Sequence, residues 1–199
     1  MREISRNGFV LAGGKSSRMG TDKALLELNG MSLLDRALRT MREVCADVTI
    51  VGDPATLAQP GKVIADRYPG CGPLGGIHAA LYQSSADLNV VLAVDMPFVS
   101  SRLLRFLADI AAGSEATVVV PRTLRGFQPL CAVYRTEFRT VAEKALRDGK
   151  YKIDALFGEG KARIVEPSEL ESAGFGERDF FNLNTPDDLQ SARSGSIKS

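Results

Sequence analysis

The chain has 199 residues, enough for one sizeable α/β domain and few for two. Hydrophobic residues make up 44% and charged residues 25%, as in an ordinary globular protein. A net charge of +1 speaks against a broad nucleic-acid or acidic-membrane surface, so any anionic ligand must be held by locally placed Lys, Arg and backbone N–H groups.

In chain order, Phe9-Val10-Leu11-Ala12 is the first apolar run of strand length, and it leads straight into a glycine-rich loop. Ser32, with Asp35 three residues on, opens a helix whose stripe is Leu34, Ala37, Leu38, Met41 and Cys45. Val48–Val51, Val63–Ala65 and Val90–Val94 follow as strands. They are continuous rather than alternating in hydrophobicity, as strands covered on both faces should be. Gly72-Pro73-Leu74-Gly75-Gly76 opens a helix, and Ser100 or Ser101 opens another carrying Leu103, Leu104, Leu107, Ile110 and Ala111. Thr117–Val120 and Leu130–Tyr134 are further strand candidates. Thr136 starts a helix that Gly149 stops, and Thr185-Pro186-Asp187-Asp188 places Pro and acids in a first helical turn. This alternation predicts a doubly wound, mostly parallel, Rossmann-like α/β/α sandwich. A single domain is expected over residues 1–193, with a disordered tail at 194–199. Such sheets bind ligands beyond the carboxyl ends of their strands.

Cys45, Cys71 and Cys131 are odd in number and far apart, so neither a disulfide framework nor a zinc ribbon is expected. Met1 to Asn7 is polar, and the run after it is too short for a signal-peptide core or a membrane span; a reducing cytoplasm is the expected location.

The loop reads Gly13-Gly14-Lys15-Ser16-Ser17-Arg18-Met19-Gly20, followed by Asp22-Lys23. Its glycines let the backbone approach a ligand closely, and its freed N–H groups can converge on phosphate oxygens beside Lys15, Arg18 and Lys23. It is not a Walker A loop, which needs glycine where Phe9 stands, nor the G-x-G-x-x-G fingerprint, since Lys15 occupies the second glycine position. A plain solvated turn is the alternative, but the position after the first buried strand and three cations within nine residues favour an anion site.

Asp95 ends the most hydrophobic strand, and Met96-Pro97 stops that strand from continuing. A carboxylate there suits Mg²⁺ shared with triphosphate oxygens. An N-cap role is excluded because the next helix starts near Ser101. Asp66 follows a strand too, though it can equally pair with Arg67 or cap a turn at Tyr68-Pro69-Gly70. Asn182 and Asn184 flank Leu183 at strand spacing, which would give their amides one face; turn chemistry before Thr185 is the competing reading. His78, the only histidine, has no partner at metal spacing and reads as a packed side chain.

The run Leu11-Ala12-Gly13-Gly14-Lys15-Ser16-Ser17-Arg18-Met19-Gly20-x-Asp22-Lys23 resembles the signature loop of the molybdenum cofactor guanylyltransferases, the MobA family. The resemblance continues in order through Asp66, Gly72–Gly76, Asp95-Met96-Pro97-Phe98, Gln128-Pro129-Leu130 and Asn182-Leu183-Asn184-Thr185-Pro186. It implies transfer of GMP from GTP to the terminal phosphate of molybdopterin, with Mg²⁺ as cofactor and pyrophosphate as co-product. Cofactor-pathway proteins or recipient molybdoenzymes are the implied protein partners. It also implies that Leu11, Ala12, Gly13, Gly14, Lys23, Gly52, Asp66 and Asp95 bind nucleotide, that Arg18, Lys23 and Asp95 serve catalysis, and that Asn182 and Asn184 face the acceptor. Gly52 departs from the pattern, which expects Asn or Ser there; a base contact must then come from backbone or from Asp53. A cytidylyltransferase of the same cofactor and a non-catalytic nucleotide binder are the alternatives. The latter would need the loop but neither Asp95 nor the acceptor motif.

Overall fold

The computed structural model of the protein describes residues 4–13, 23–57, 61–158 and 161–195. In chain order its elements begin with β1 (Arg6–Leu11), a short turn of 3₁₀ helix at Lys23–Leu25, the hairpin β2 (Glu27–Leu28) and β3 (Met31–Ser32), and α1 (Leu33–Arg42). Next come β4 (Asp47–Val51), α2 (Pro54–Leu57), β5 (Lys62–Ile64), α3 (Pro73–Gln83), β6 (Leu88–Ala93) and α4 (Ser101–Ala112). The second half holds β7 (Val118–Thr123), β8 (Gly126–Phe127), β9 (Cys131–Arg135), α5 (Phe138–Arg147), β10 (Ala162–Val165), α6 (Pro167–Ser172) and α7 (Pro186–Ser194).

The main sheet runs β10-β7-β9-β6-β1-β4-β5, with β8 paired to β7. β1 is parallel to both β4 and β6, and β4 to β5. Only β9 on this path runs against its neighbours, β6 and β7. The expected mostly parallel α/β/α fold is therefore the one observed.

Two apolar layers account for it. Along β1, Val10 packs with α1 and α4, whereas Phe9 and Leu11 pack with α3 and α5. Val90 and Leu92 of β6 divide from Val91 in the same way. Successive strand side chains point to opposite faces, so a strand covered on both sides must be apolar at every position. Burying these side chains supplies the main driving force for the fold, at roughly 25 cal/mol per Å² of apolar surface.

The helix starts follow local chemistry. Ser32 caps α1 by accepting from the Asp35 N–H, and Ser100 caps α4 by accepting from that of Leu103. Gly149, at φ +70°, follows α5 as expected. Thr136 is a correction: α5 begins at Phe138, and the Thr136 hydroxyl instead donates to the Ala86 carbonyl and accepts from the Asn89 amide. The strand β10 and the small β2–β3 hairpin were not anticipated. α7 extends through Ser194, and Gly195 closes it at φ +72°; residues 196–199 lie outside the described set.

Candidate active site

Three chain segments reach one point at the carboxyl edge of the sheet. The Val94 N–H donates to the Leu11 carbonyl at 3.0 Å, so β1 and β6 leave the sheet side by side, delivering Gly13 and Asp95 to the same edge. On the other side of β1, the Ala12 N–H donates to the Val51 carbonyl at 2.9 Å, which brings Gly52 alongside. The third segment is C-terminal: the Leu183 N–H donates to the Asp95 carbonyl at 2.8 Å, while the Leu183 side chain is fully buried.

Lys23 enters this junction from its 3₁₀ turn. Its ammonium donates to Asp95 Oδ2 at 3.0 Å and to Asn184 Oδ1 at 2.9 Å. Residues 72 and 161 positions away in sequence thus share one cation. The Lys23 and Asp95 side chains are 21% and 19% exposed, so their attraction is only partly screened by water. Asp95 Oδ1 is buried and accepts no hydrogen bond among the described residues. A buried, unpartnered carboxylate oxygen is costly unless something binds it. It fits a hard divalent cation that takes one protein carboxylate and completes its shell with phosphate and water oxygens. Among the described residues no group of three His, Cys, Asp or Glu is placed to hold a metal ion.

The other expected site residues fall into three kinds. Leu11 and Ala12 bury their side chains, and spend the Leu11 carbonyl and the Ala12 N–H on the sheet; they set the direction in which the loop leaves. Gly14, Lys15, Arg18 and Asp22 lie outside the described residues. Gly52 sits where a Cβ would come 2.6 Å from Leu57 Cδ1 and 3.5 Å from the Ala12 carbonyl carbon. A side chain at this position would have to displace the end of Leu57. Asp53 is drawn into the start of α2, where its Oδ1 accepts from the Ala55 N–H at 2.9 Å.

Asp66 Oδ1 accepts from the Tyr68 N–H at 2.8 Å, the turn-capping alternative raised by its sequence. Its carboxylate also lies against the first turn of α3. A Cβ on Gly75 would be 2.6 Å from Asp66 Oδ2 and 2.9 Å from the Tyr68 carbonyl. Gly75 is thus required for close approach, and Asp66 faces the positive end of the α3 dipole.

The segment holding Asn182 and Asn184 forms no strand, contrary to the spacing argument. The Asn182 amide donates to the Phe180 carbonyl within its own turn, whereas Asn184 reaches Lys23. Gln128 donates to the Thr123 hydroxyl and braces the β7–β8 turn. Leu130 accepts from the Ala93 N–H, and so backs the strand end that carries Asp95. His78 is buried on α3, edge-on to Tyr68 at 5.0 Å, and desolvation holds its pKa below the ordinary imidazole value; the packed reading is the observed one. Sequence reasoning passed over Asp188 as anything more than a first-turn acid. Its Oδ2 accepts from the N–H groups of Asn184 and Thr185.

Comparison with known proteins agrees with this geometry. Residues 8–163 match the MobA-like NTP transferase domain. The chain is 37% identical to a probable molybdenum cofactor guanylyltransferase of Pelotomaculum thermopropionicum, covering 96% of this chain and 93% of that one. It is 33% identical to the molybdenum cofactor guanylyltransferase of Desulfosudis oleivorans, covering 94% of each. The crystal structure of molybdopterin-guanine dinucleotide biosynthesis protein A from Archaeoglobus fulgidus superimposes with a TM-score of 0.84 at 28% identity, covering 96% of this chain and 98% of that one. With Gly13, a part-buried carboxylate and a lysine meeting at one sheet edge, and with these relatives matched nearly end to end, the chain belongs to the MobA-like NTP transferase family.

Proposed function

We propose that this chain is a molybdenum cofactor guanylyltransferase: a single transferase domain over residues 1–193 that moves GMP from GTP to the terminal phosphate of molybdopterin and releases pyrophosphate. The observation that carries this reading is the Lys23–Asp95–Asn184 junction beside Gly13. An anionic phosphate must attack the α-phosphorus of an anionic triphosphate, so charge neutralisation and in-line positioning matter more than a covalent nucleophile. Lys23, held by Asp95 and Asn184, brings a point charge to the triphosphate. By resemblance, the glycine-rich run that follows β1 from Gly13 turns its N–H groups toward the triphosphate oxygens. Asp95 is the residue that holds Mg²⁺ in this reading, and the bound ion supplies charge neutralisation across phosphate oxygens. Asn184 fixes Lys23 from the acceptor side, and Asn182 belongs to the same segment. Arg18, by resemblance, adds a second cation.

Two strands away, Asp66 with Gly75 forms the wall toward the base. Gly52 offers backbone only, and with Asp53 committed to α2 the base is read at this point through main-chain groups.

The test is pyrophosphate release from Mg-GTP with molybdopterin as acceptor, and detection of the guanine dinucleotide. Faster turnover with CTP than with GTP would assign the cytidylyl alternative. Tight GTP binding with no transfer would overturn the enzymatic reading.

A further inference from the structure

α7 begins outside the matched domain, yet one of its carboxylates is two hydrogen bonds from the Lys23 ammonium. Asp188 Oδ2 accepts from the Thr185 N–H at 2.8 Å, which together with the Thr185 hydroxyl accepting from the Asp188 N–H completes a capping box. That much needs only Thr185. The same oxygen also accepts from the Asn184 N–H at 2.9 Å, one residue upstream of the cap and outside the helix. Asn184 Oδ1 then accepts from Lys23 Nζ at 2.9 Å, and Lys23 Nζ donates to Asp95 Oδ2 at 3.0 Å. The far end of α7 is fixed as well. The Arg193 guanidinium donates to the Glu27 carbonyl in β2, just beyond the turn that carries Lys23. α7 therefore grips both Asn184 and the chain flanking Lys23.

From this arrangement we infer that Asp188 is a positioning residue for the catalytic cation: by holding the Asn184 main chain it keeps the Asn184 side-chain Oδ1 aimed at Lys23, and so sets where Lys23 meets the triphosphate. Asn184 is exposed and lies in no regular element. Among the described residues, Asp188 is the group that fixes its backbone N–H. An unrestrained side-chain amide would lose the geometry of one charge-assisted hydrogen bond. The inference rests on the reading of Lys23 as a nucleotide-site group, but its test does not depend on turnover.

The readout is the acetylation rate of Lys23 in the nucleotide-free protein, followed by mass spectrometry after acetic anhydride treatment. Asn184→Ala and Asp188→Ala should each raise that rate about fivefold, the factor corresponding to one hydrogen bond of about 1 kcal/mol. The double variant should be no faster than Asn184→Ala alone, because both changes remove the same restraint. Thr185→Ala, which weakens the helix cap but leaves the Asn184 N–H bond, should lower Tm without altering the rate. Asp188→Asn keeps an acceptor oxygen and serves if the alanine variant fails to fold; its rate should lie above wild type. An unchanged rate in both Asp188 variants, or full additivity in the double variant, overturns the inference. So does an equal rise in Thr185→Ala, since helix fraying would then explain it. Failure of wild-type protein to make the dinucleotide would sink the proposed reaction and leave this result standing.

Discussion

The two oxygens of Asp95 have different partners, and that difference sets what a substitution does. Oδ2 pairs with Lys23, while Oδ1 is buried without a bond among the described residues. Asp95→Asn keeps the shape but removes the charge that both a cation and Lys23 need. Transfer should fall by at least about 100-fold, the loss typical when one preorganised charge-stabilising group is removed. Circular dichroism should stay unchanged; a wild-type rate would dismiss the metal role. Lys23→Ala should weaken Mg-GTP binding by about 1–3 kcal/mol, the scale of hydrogen bonds to charged groups, as read by calorimetry. Gly75 makes a third residue-scale prediction. A Cβ there meets the Asp66 carboxylate and the Tyr68 carbonyl, all closer than 3 Å, so Gly75→Ala should cost about 1–3 kcal/mol of stability through overpacking. Urea unfolding with an unshifted midpoint would show that the β5–α3 loop gives way freely. Gly52 was legible only as an anomaly in sequence; its packing neighbour, the end of the Leu57 side chain 2.6 Å from an added Cβ, is a contact no spacing rule reveals.

At the scale of elements, caps and buried strands were readable because each is encoded within a few consecutive residues. The Ser32 and Thr185 caps formed as the pattern of hydroxyl and acid implied, and of the two serines offered for α4 it is Ser100 that caps. The β2–β3 hairpin escaped notice since each strand is only two residues long and shows no period. Its turn, Asn29-Gly30, has φ of 54° and 76°, the left-handed pair that such tight hairpins require. Gly30→Ala should therefore cost about 1 kcal/mol, measured by urea unfolding, because an alanine at that φ is strained. The strand β10 was missed for a related reason. Ala162–Val165 is half-buried at the sheet edge, so it lacks the continuous apolar run of the central strands.

Titration and thiol chemistry belong to the molecule as a whole. Burial is the first influence on Asp188 and would raise its pKa, but bonds from Asn184 and Thr185 outweigh it and the net shift is downward. Glu169 is likewise lowered, chiefly by the Arg163 guanidinium and then by the Glu166 N–H. A carboxylate whose folded pKa lies below its unfolded value stabilises the fold fully above the unfolded value, about 4, and loses that contribution as pH falls through the folded one. Tm should thus be flat on this account from neutrality to about pH 5 and decline below about pH 4. An Asp188→Asn/Glu169→Gln double variant should show a shallower acid decline than wild type; an equally steep one would remove these two groups from the explanation. The thiols divide by burial. Desolvation pushes Cys45 up to about 11 and Cys131 higher still, so both stay protonated and shielded at pH 8, whereas Cys71 is half-exposed. A disulfide reagent should titrate Cys71 alone in the native protein and all three thiols in denaturant. Rapid native modification of Cys131 would mean that the sheet opens.

The sequence by itself determined the central strands and the long helices between them, the caps at Ser32 and Thr185, and the family, through the loop from Leu11 to Lys23 and the Asn182-to-Pro186 ending. These signals are local, and local signals survive in one dimension. It also placed Gly13 and Asp95 after buried strands, which in a parallel sheet means one shared edge. Only the tertiary structure decided that Asn184 and Asp95 hold the same ammonium, that Asn182 turns back to its own chain, and that Asp188 reaches past its helix cap. Those contacts join residues up to 161 positions apart, and their existence depends on how β6, the C-terminal segment and the turn at Lys23 converge. Periodicity fixes which face a side chain takes; it does not fix which distant side chain it meets there.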